Sequence, residues 1–364
     1  MKRDIRERGP LTVAAFMERA LYDPIGGYYT AGRRSGAAGD FYTSVDAGPA
    51  FGHLLGRQFT RMWEALGRPP TFDLVEAGAG NGQLMRDVLD ALAVESPAAY
   101  AAARVTLVER GAGARAEHAA RLERHAGRPI VSTATVPTSI DGILFANELL
   151  DALPVHRVVA TERGLREVYV TVRQDRLMTM LGPPSSEALA AYLADVGVDP
   201  AVGTVADIGL AAVAWVREAA RAIASGYLLL IDYGHDAQQL FGDAHRTGTL
   251  RAYYRHLVDP PPGARGVPAW LERPGEQDLT AHVDFTAVRR AAEVEGLTWL
   301  GSVPQGRWLL GLGIEELLER TSGTSVAAVR DRLRVRSLVL PEGPASTHHV
   351  LAMARGLGLG HALP

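Results

Sequence analysis

Apolar positions along the chain switch repeatedly between two periods, and the switches mark out alternating strands and helices. From Phe72 to Glu76 a mostly apolar run closes on an acid, and Gly78, Gly80 and Gly82 follow at every second position. This predicts a strand entering a tight turn. Leu84, Met85, Val88, Leu89 and Leu92 then fall at the spacing of a helix that buries one stripe. Arg104 to Glu109 is a second short run ending on a carboxylate, the expected end of the next parallel strand. Residues 111–126 read as a helix, Pro129 to Ser132 as a third strand and Asp141 to Ala146 as a fourth. The run from Gly226 to Ile231, closed by Asp232-Tyr233-Gly234, suits a buried parallel strand. A helix at 285–296 and strands near 297–303 and 346–354 complete the pattern. Such alternation predicts an α/β doubly wound, Rossmann-like sheet with ligands at the carboxyl ends of its strands.

Two regions interrupt the plan. At the start, Val13, Phe16, Met17, Ala20 and Leu21 predict a helix over 11–22 that breaks at Asp23-Pro24. Residues 30–48 are glycine-rich, with one aromatic-polar cluster at Gly39 to Ser44; such a loop is either mobile or moulded around a ligand. Helix returns over 50–66. After Pro154, the alternation of Val155, Arg157 and Val159 with Leu165, Val168 and Val170 predicts a hairpin closed near Arg163-Gly164. A loop follows from Leu181, then helices at 187–197 and 207–224. The expected organisation is N-terminal helices and a covering loop (1–70), a core (71–154), an insertion over the catalytic face (155–224) and the rest of the core (225–364). The last part carries an irregular stretch at 235–282. Insertion and irregular stretch together are expected to form a lid that admits an extended peptide.

Composition narrows the classes. The chain has 364 residues, 47% hydrophobic and 22% charged, with a net charge of −3, so no field suited to nucleic acid arises. Lys2 is the lone lysine, a compositional habit of GC-rich coding. With no cysteine, disulfides, thiolate metal sites and cysteine nucleophiles are excluded. The N-terminus mixes charges and lacks an apolar core, giving neither a signal peptide nor a membrane span and a default expectation of a cytoplasmic protein.

The glycine spacing is G-x-G-x-G, with Gln83 where a dinucleotide binder has its third glycine. That points away from NAD and towards S-adenosylmethionine (SAM), which carries no pyrophosphate. Glu109 is placed to accept hydrogen bonds from both ribose hydroxyls. A purely structural turn is the alternative.

Six motifs in fixed order extend the reading over about 280 residues: Gly26–Tyr29, Gly39–Thr43, Glu76–Gly82, Asn147–Pro154, Asp232–Gly234 and Asp278–Phe285. In these the chain resembles the MidA-like methyltransferases, bacterial relatives of the mitochondrial complex I assembly factor that methylates arginine. The resemblance implies a class I SAM-dependent methyltransferase fold with an inserted substrate-binding subdomain, and a protein or peptide arginine as acceptor. It departs at the glycine turn, where Ala77, Ala79 and Asn81 replace the family's usual Leu, Pro and Arg.

Methyl transfer is an in-line displacement that needs positioning and no metal. A guanidinium acceptor needs carboxylates that pair with it. Glu148 and Asp151, three apart after a strand as though on a first helical turn, are candidates for that clamp; the alternative is that Asn147 or Glu148 caps the helix. Asp232, ending a buried strand, faces the site or pairs with a base. His282 and Asp284, alternating with Val283, orient substrate or take a proton, or are structural. From the resemblance, Asp40, Phe41 and Thr43 fold over the cofactor, and Asn147 joins Glu76, the three glycines and Glu109 in binding it; His256 and Gln305 also match family positions. Metal ligation by His282 and His256 with Asp232 or Asp284 finds no supporting spacing, and His348 and His349 point to opposite faces of their strand. Two other readings stay open: a methyltransferase for a small metabolite, and a non-catalytic assembly or chaperone module that binds SAM. Self-association into a homodimer is left open.

Overall fold

The computed structural model describes residues 1–30, 44–255, 257–258, 267–320, 325–339 and 347–357. The chain divides into two compact units. Thr43–Leu149, Arg217–Tyr233 and Ala292–Pro364 make a sheet unit; Met1–Tyr42, Leu150–Val216 and Gly234–Ala291 make an N-terminal unit.

The sheet unit is built on β1 (Phe72–Ala77), β2 (Ala103–Val108), β3 (Ile130–Thr133), β4 (Ile140–Asn147), β5 (Ile223–His235), β6 (Thr298–Pro304) and β7 (His348–Arg355). Their order is β3-β2-β1-β4-β5-β7-β6. The first five run parallel, and β7 is antiparallel to both its neighbours. Strand order reverses between β1 and β4, the point at which a doubly wound sheet opens a crevice for a ligand. Phe72, Leu74, Val105, Leu107, Ile143 and Phe145 alternate along β1, β2 and β4 and join one core cluster. Over that face lie the helices Pro49–Ala65 and Gln83–Glu95, with the Phe59 and Phe145 rings 4.8 Å apart. Each such buried side chain contributes roughly 1.5–3 kcal/mol. Val75, Leu144, Leu228 and Met353, on the intervening positions, are buried too. Both faces are therefore covered, which is why these strands read as continuous apolar runs.

In the N-terminal unit, Gly164–Arg173 pairs with His156–Thr161 and Arg176–Gly182, and Leu11–Thr12 adds to its other end. Thr12 starts the helix Val13–Tyr22, its hydroxyl accepting from the Ala15 N–H at 3.1 Å. Phe16, Met17 and Leu21 bury against Val168, Val170 and Trp270. Tyr28 is fully buried and Tyr29 donates to Asp278 at 2.8 Å, so the first and last of the six motifs meet in this unit. Gly234 permits a close approach: a Cβ there would stand 2.0 Å from the Val283 carbonyl oxygen. That is the physical reason for glycine after Asp232-Tyr233, since Gly234 pairs with Val283 across neighbouring strands.

Three expectations shift. The helix expected over 207–224 is Leu210–Ala222, because Val205–Ile208 joins the small sheet opposite His156–Val159. Leu181 and Gly182 end a strand rather than beginning a loop. After β4 the chain turns without forming a helix, and the His156–Thr161 strand follows. Among the described residues no helix is long and apolar enough to cross a membrane.

Candidate active site

The glycine turn follows β1 directly. Gly78, Gly80 and Gly82 all have positive φ, at 70°, 52° and 80°, a region where a side chain is costly. Added Cβ atoms at Gly78 and Gly82 would stand 3.1 Å from Leu149 and Leu107, whereas one at Gly80 would meet nothing within 4 Å. Among the described residues the tip of the turn thus borders open space while its ends are packed. Glu109, just past β2, pins the tip: its carboxylate accepts from the Gly80 N–H at 2.9 Å and the Gly111 N–H at 2.6 Å. Lone pairs remain on both oxygens. From the other side the buried His118 Nε2 lies 2.9 Å from the Gly80 carbonyl, and its Nδ1 lies 2.9 Å from the Ser132 hydroxyl. A carbonyl only accepts, so Nε2 carries the proton. Asn81, where the family has arginine, accepts from the Gln83 N–H at 3.1 Å and so helps start the next helix.

Beneath the turn Glu76 is 3% exposed and, among the described residues, its Oε2 has no hydrogen-bond partner. Burial pushes its pKa up to about 8, against a backbone hydrogen bond from Met85 and with the Glu109 and Asp87 charges adding to the rise. Asn147, ending β4, likewise has a buried Oδ1 without a partner among the described residues. Two orphaned acceptors at adjacent strand ends are costly unless a ligand meets them.

Glu148 follows Asn147 with φ 50°, a left-handed conformation that costs a non-glycine residue about 1–3 kcal/mol. Its backbone N–H donates to Ile231 at 2.8 Å, and its Oε1 accepts from the Ser44 N–H at 3.3 Å and from Asn147 Nδ2 at 3.2 Å. His348 Nε2 stands 3.8 Å away. Gln305, fully buried, donates to the Ser44 hydroxyl at 2.9 Å. Asp232 is buried beside this group on β5 and accepts from the Tyr233 N–H at 2.9 Å, and the Tyr233 ring lies 5.2 Å from that of His348. His348 and His349 do face opposite ways, the latter reaching Ser302 at 3.1 Å. The sheet unit therefore gathers Glu76, the glycines, Glu109, Asn147, Glu148 and Asp232 at one set of strand ends. His118 was not picked out by sequence pattern, because it acts from a helix whose own periodicity is unremarkable; Ser44 and His348 were named, but without these roles.

Asp151 belongs to the N-terminal unit and is buried, its carbonyl accepting from Ala281 at 2.9 Å. The helical turn expected to align Glu148 with Asp151 is absent: Leu153 closes a simple turn onto Leu150, and the left-handed Glu148 cannot begin a helix. The helix-capping alternative falls for the same reason. Asp284 directs Oδ1 to the Ala287 N–H at 3.1 Å and Oδ2 to the Tyr192 hydroxyl at 2.9 Å. It caps a helix and anchors a tyrosine, and burial pushes its pKa up to about 6. The His282 ring instead groups with those of His235 and His245. Asp40, Phe41, Thr43 and His256 lie outside the described residues.

A sequence model of S-adenosyl-L-methionine-dependent methyltransferases matches residues 54–303. The chain belongs to this family. It is 34% identical over 347 residues to mouse "Protein arginine methyltransferase NDUFAF7, mitochondrial", covering 86% of this chain and 73% of that protein. With the human protein of that name it is 33% identical, covering 88% and 75%. A crystal structure from Burkholderia thailandensis bound to S-adenosyl-homocysteine superposes with a TM-score of 0.84 at 29% identity, over 100% of this chain and 92% of that one. The chain is thus a SAM-dependent methyltransferase with a Rossmann-like sheet, as the motifs implied. The expected cytoplasmic location is corrected: the mouse, rat and human relatives, which match 86–88% of this chain, are mitochondrial by name. Composition and an N-terminus without an apolar core do not report on compartment.

Proposed function

We propose that this methyltransferase acts on arginine in a protein substrate, holding SAM at the glycine turn and the acceptor guanidinium at Glu148. The names of the relatives support the acceptor class. The observation that carries the reading is Glu148, a carboxylate kept 7% exposed in a strained backbone conformation at the end of β4, beside the reversal of strand order. Strain and burial of this kind persist where the surroundings enforce them for a purpose. A guanidinium stays charged at any physiological pH, so its recognition calls for such a buried anion.

The donor supplies an electrophilic methyl on a sulfonium. Gly80 leaves room for a ligand against the backbone, the remaining Glu109 lone pairs suit ribose hydroxyls, and the orphaned Glu76 Oε2 and Asn147 Oδ1 suit a cationic or N–H group of the cofactor. Glu148 would pair with the guanidinium and turn one nitrogen towards the methyl; as the N–C bond forms, the sulfonium S–C bond would break to release S-adenosylhomocysteine, and the proton lost by that nitrogen would pass to the Glu148 carboxylate and on to solvent. Asp232, buried on the neighbouring strand, adds negative charge to the same end of the sheet. Asp284, occupied by its helix and Tyr192, is not an acceptor-side candidate.

Incubating the protein with methyl-labelled SAM and a lysate of its host, then locating the label by mass spectrometry, tests the acceptor. Methylated arginine in a protein supports the reading. Label confined to a small molecule would replace it with a metabolite methyltransferase.

A further inference from the structure

His235 at the end of β5, His245 in the 3-10 turn Asp243–His245 and His282 before the Val283–Asp284 strand come from three separated segments of the N-terminal unit. One ring nitrogen from each lies within 4.8 Å of the other two. Their ring centroids are 4.7, 5.3 and 5.4 Å apart. All three are half-buried, so the group is reachable from solvent.

We propose that His235, His245 and His282 form a binding site for a divalent first-row transition metal, zinc foremost. Three imidazoles with a fourth position left to water or a small ligand is an established donor set for such ions. At a Zn–N length of about 2.1 Å, tetrahedral donors stand roughly 3.4 Å apart. The rings must therefore close by about an ångström, within reach of side-chain torsions. The backbone holds its end of the arrangement: the His282 N–H donates to the Thr249 hydroxyl at 3.2 Å, and Thr249 and Leu250 donate to the Asp207 carboxylate at 2.6 and 2.9 Å. Arg251 opposes a cation here and Asp207 favours one. Sequence spacing does not disclose the group, because the three histidines are brought together by tertiary contacts such as the pairing of Gly234 with Val283 and the turn before Arg246.

The test uses the full-length protein without a histidine tag, stripped with a chelator and titrated with Zn²⁺ by calorimetry and with Co²⁺ by visible absorption. The expected result is one ion per chain, with Co²⁺ bands diagnostic of nitrogen ligation. His235→Asn and His245→Asn should each weaken binding at least ~100-fold, while SAM affinity stays at the wild-type value. Absence of stoichiometric binding by the wild type, or undiminished affinity in either variant when its circular dichroism matches wild type, overturns the site. The readout is metal affinity, so it stands or falls independently of the methyl acceptor.

Discussion

Glu109 and Asp284 are both carboxylates at strand ends that accept backbone N–H groups, yet they stand in different relations to their surroundings. Glu109 holds the tip of a turn that borders open space, and each of its oxygens keeps a lone pair. Asp284 is buried with one oxygen on a helix start and the other on Tyr192. The same contrast separates other motif residues. At adjacent strand ends of the sheet unit Glu76 and Asn147 each keep a buried oxygen without a partner among the described residues, whereas in the N-terminal unit Tyr29 donates to Asp278 and Asp284 accepts from Ala287 and Tyr192. A motif residue indicates a ligand when its partners are missing, and a fold constraint when they are all present.

The sharpest way to break that comparison is to fill the open tip. Gly80→Leu places a side chain where the ligand is expected and imposes a left-handed leucine; SAM affinity should fall at least ~100-fold by calorimetry. Full affinity in this variant would show that the space beside Gly80 is not the cofactor's. Glu109→Ala should cost ten- to hundred-fold, on the order of 1–3 kcal/mol, by removing both the turn's anchor and the proposed ribose acceptor.

Asp284→Ala should do the opposite. Loss of a helix cap and of the Tyr192 partner is worth about 2–4 kcal/mol, seen as a thermal midpoint lower by several degrees with SAM affinity unchanged. A variant of normal stability that cannot methylate would move Asp284 to the chemical side of the comparison.

A pH-dependent effect concerns Glu76. With its pKa pushed up to about 8, the folded protein keeps a proton that the unfolded chain releases near 4.5. Folding takes up that proton between these values, so ligand-free stability falls as pH rises from 4.5 to 8, by about 1 kcal/mol per unit. Glu76→Gln should flatten the slope in thermal melts across that range. An unchanged slope would mean that Glu76 is ionised and satisfied in the folded protein.

The sheet was legible because its strands are buried on both faces and end in acids and glycines, all local signals. Gly80 and Glu109 could be paired from sequence because adjacent parallel strands place their ends side by side. Glu148 was legible as a residue but its conformation was not: the stretch from Asn147 to Pro154 has helix-like spacing, and a hydrogen bond to Ile231 on the neighbouring strand holds it out of a helix. His118 and the histidine trio depend on contacts between remote segments, which no local period encodes.

The most direct test of the account is Glu148→Gln, which keeps the side chain's volume and removes its charge. With the acceptor identified from the labelled lysate, single-turnover methyl transfer should fall at least ~10²-fold while calorimetric SAM affinity stays within about threefold of wild type. Equal loss of turnover and SAM binding would place Glu148 on the cofactor, and wild-type turnover would remove it from the reaction altogether.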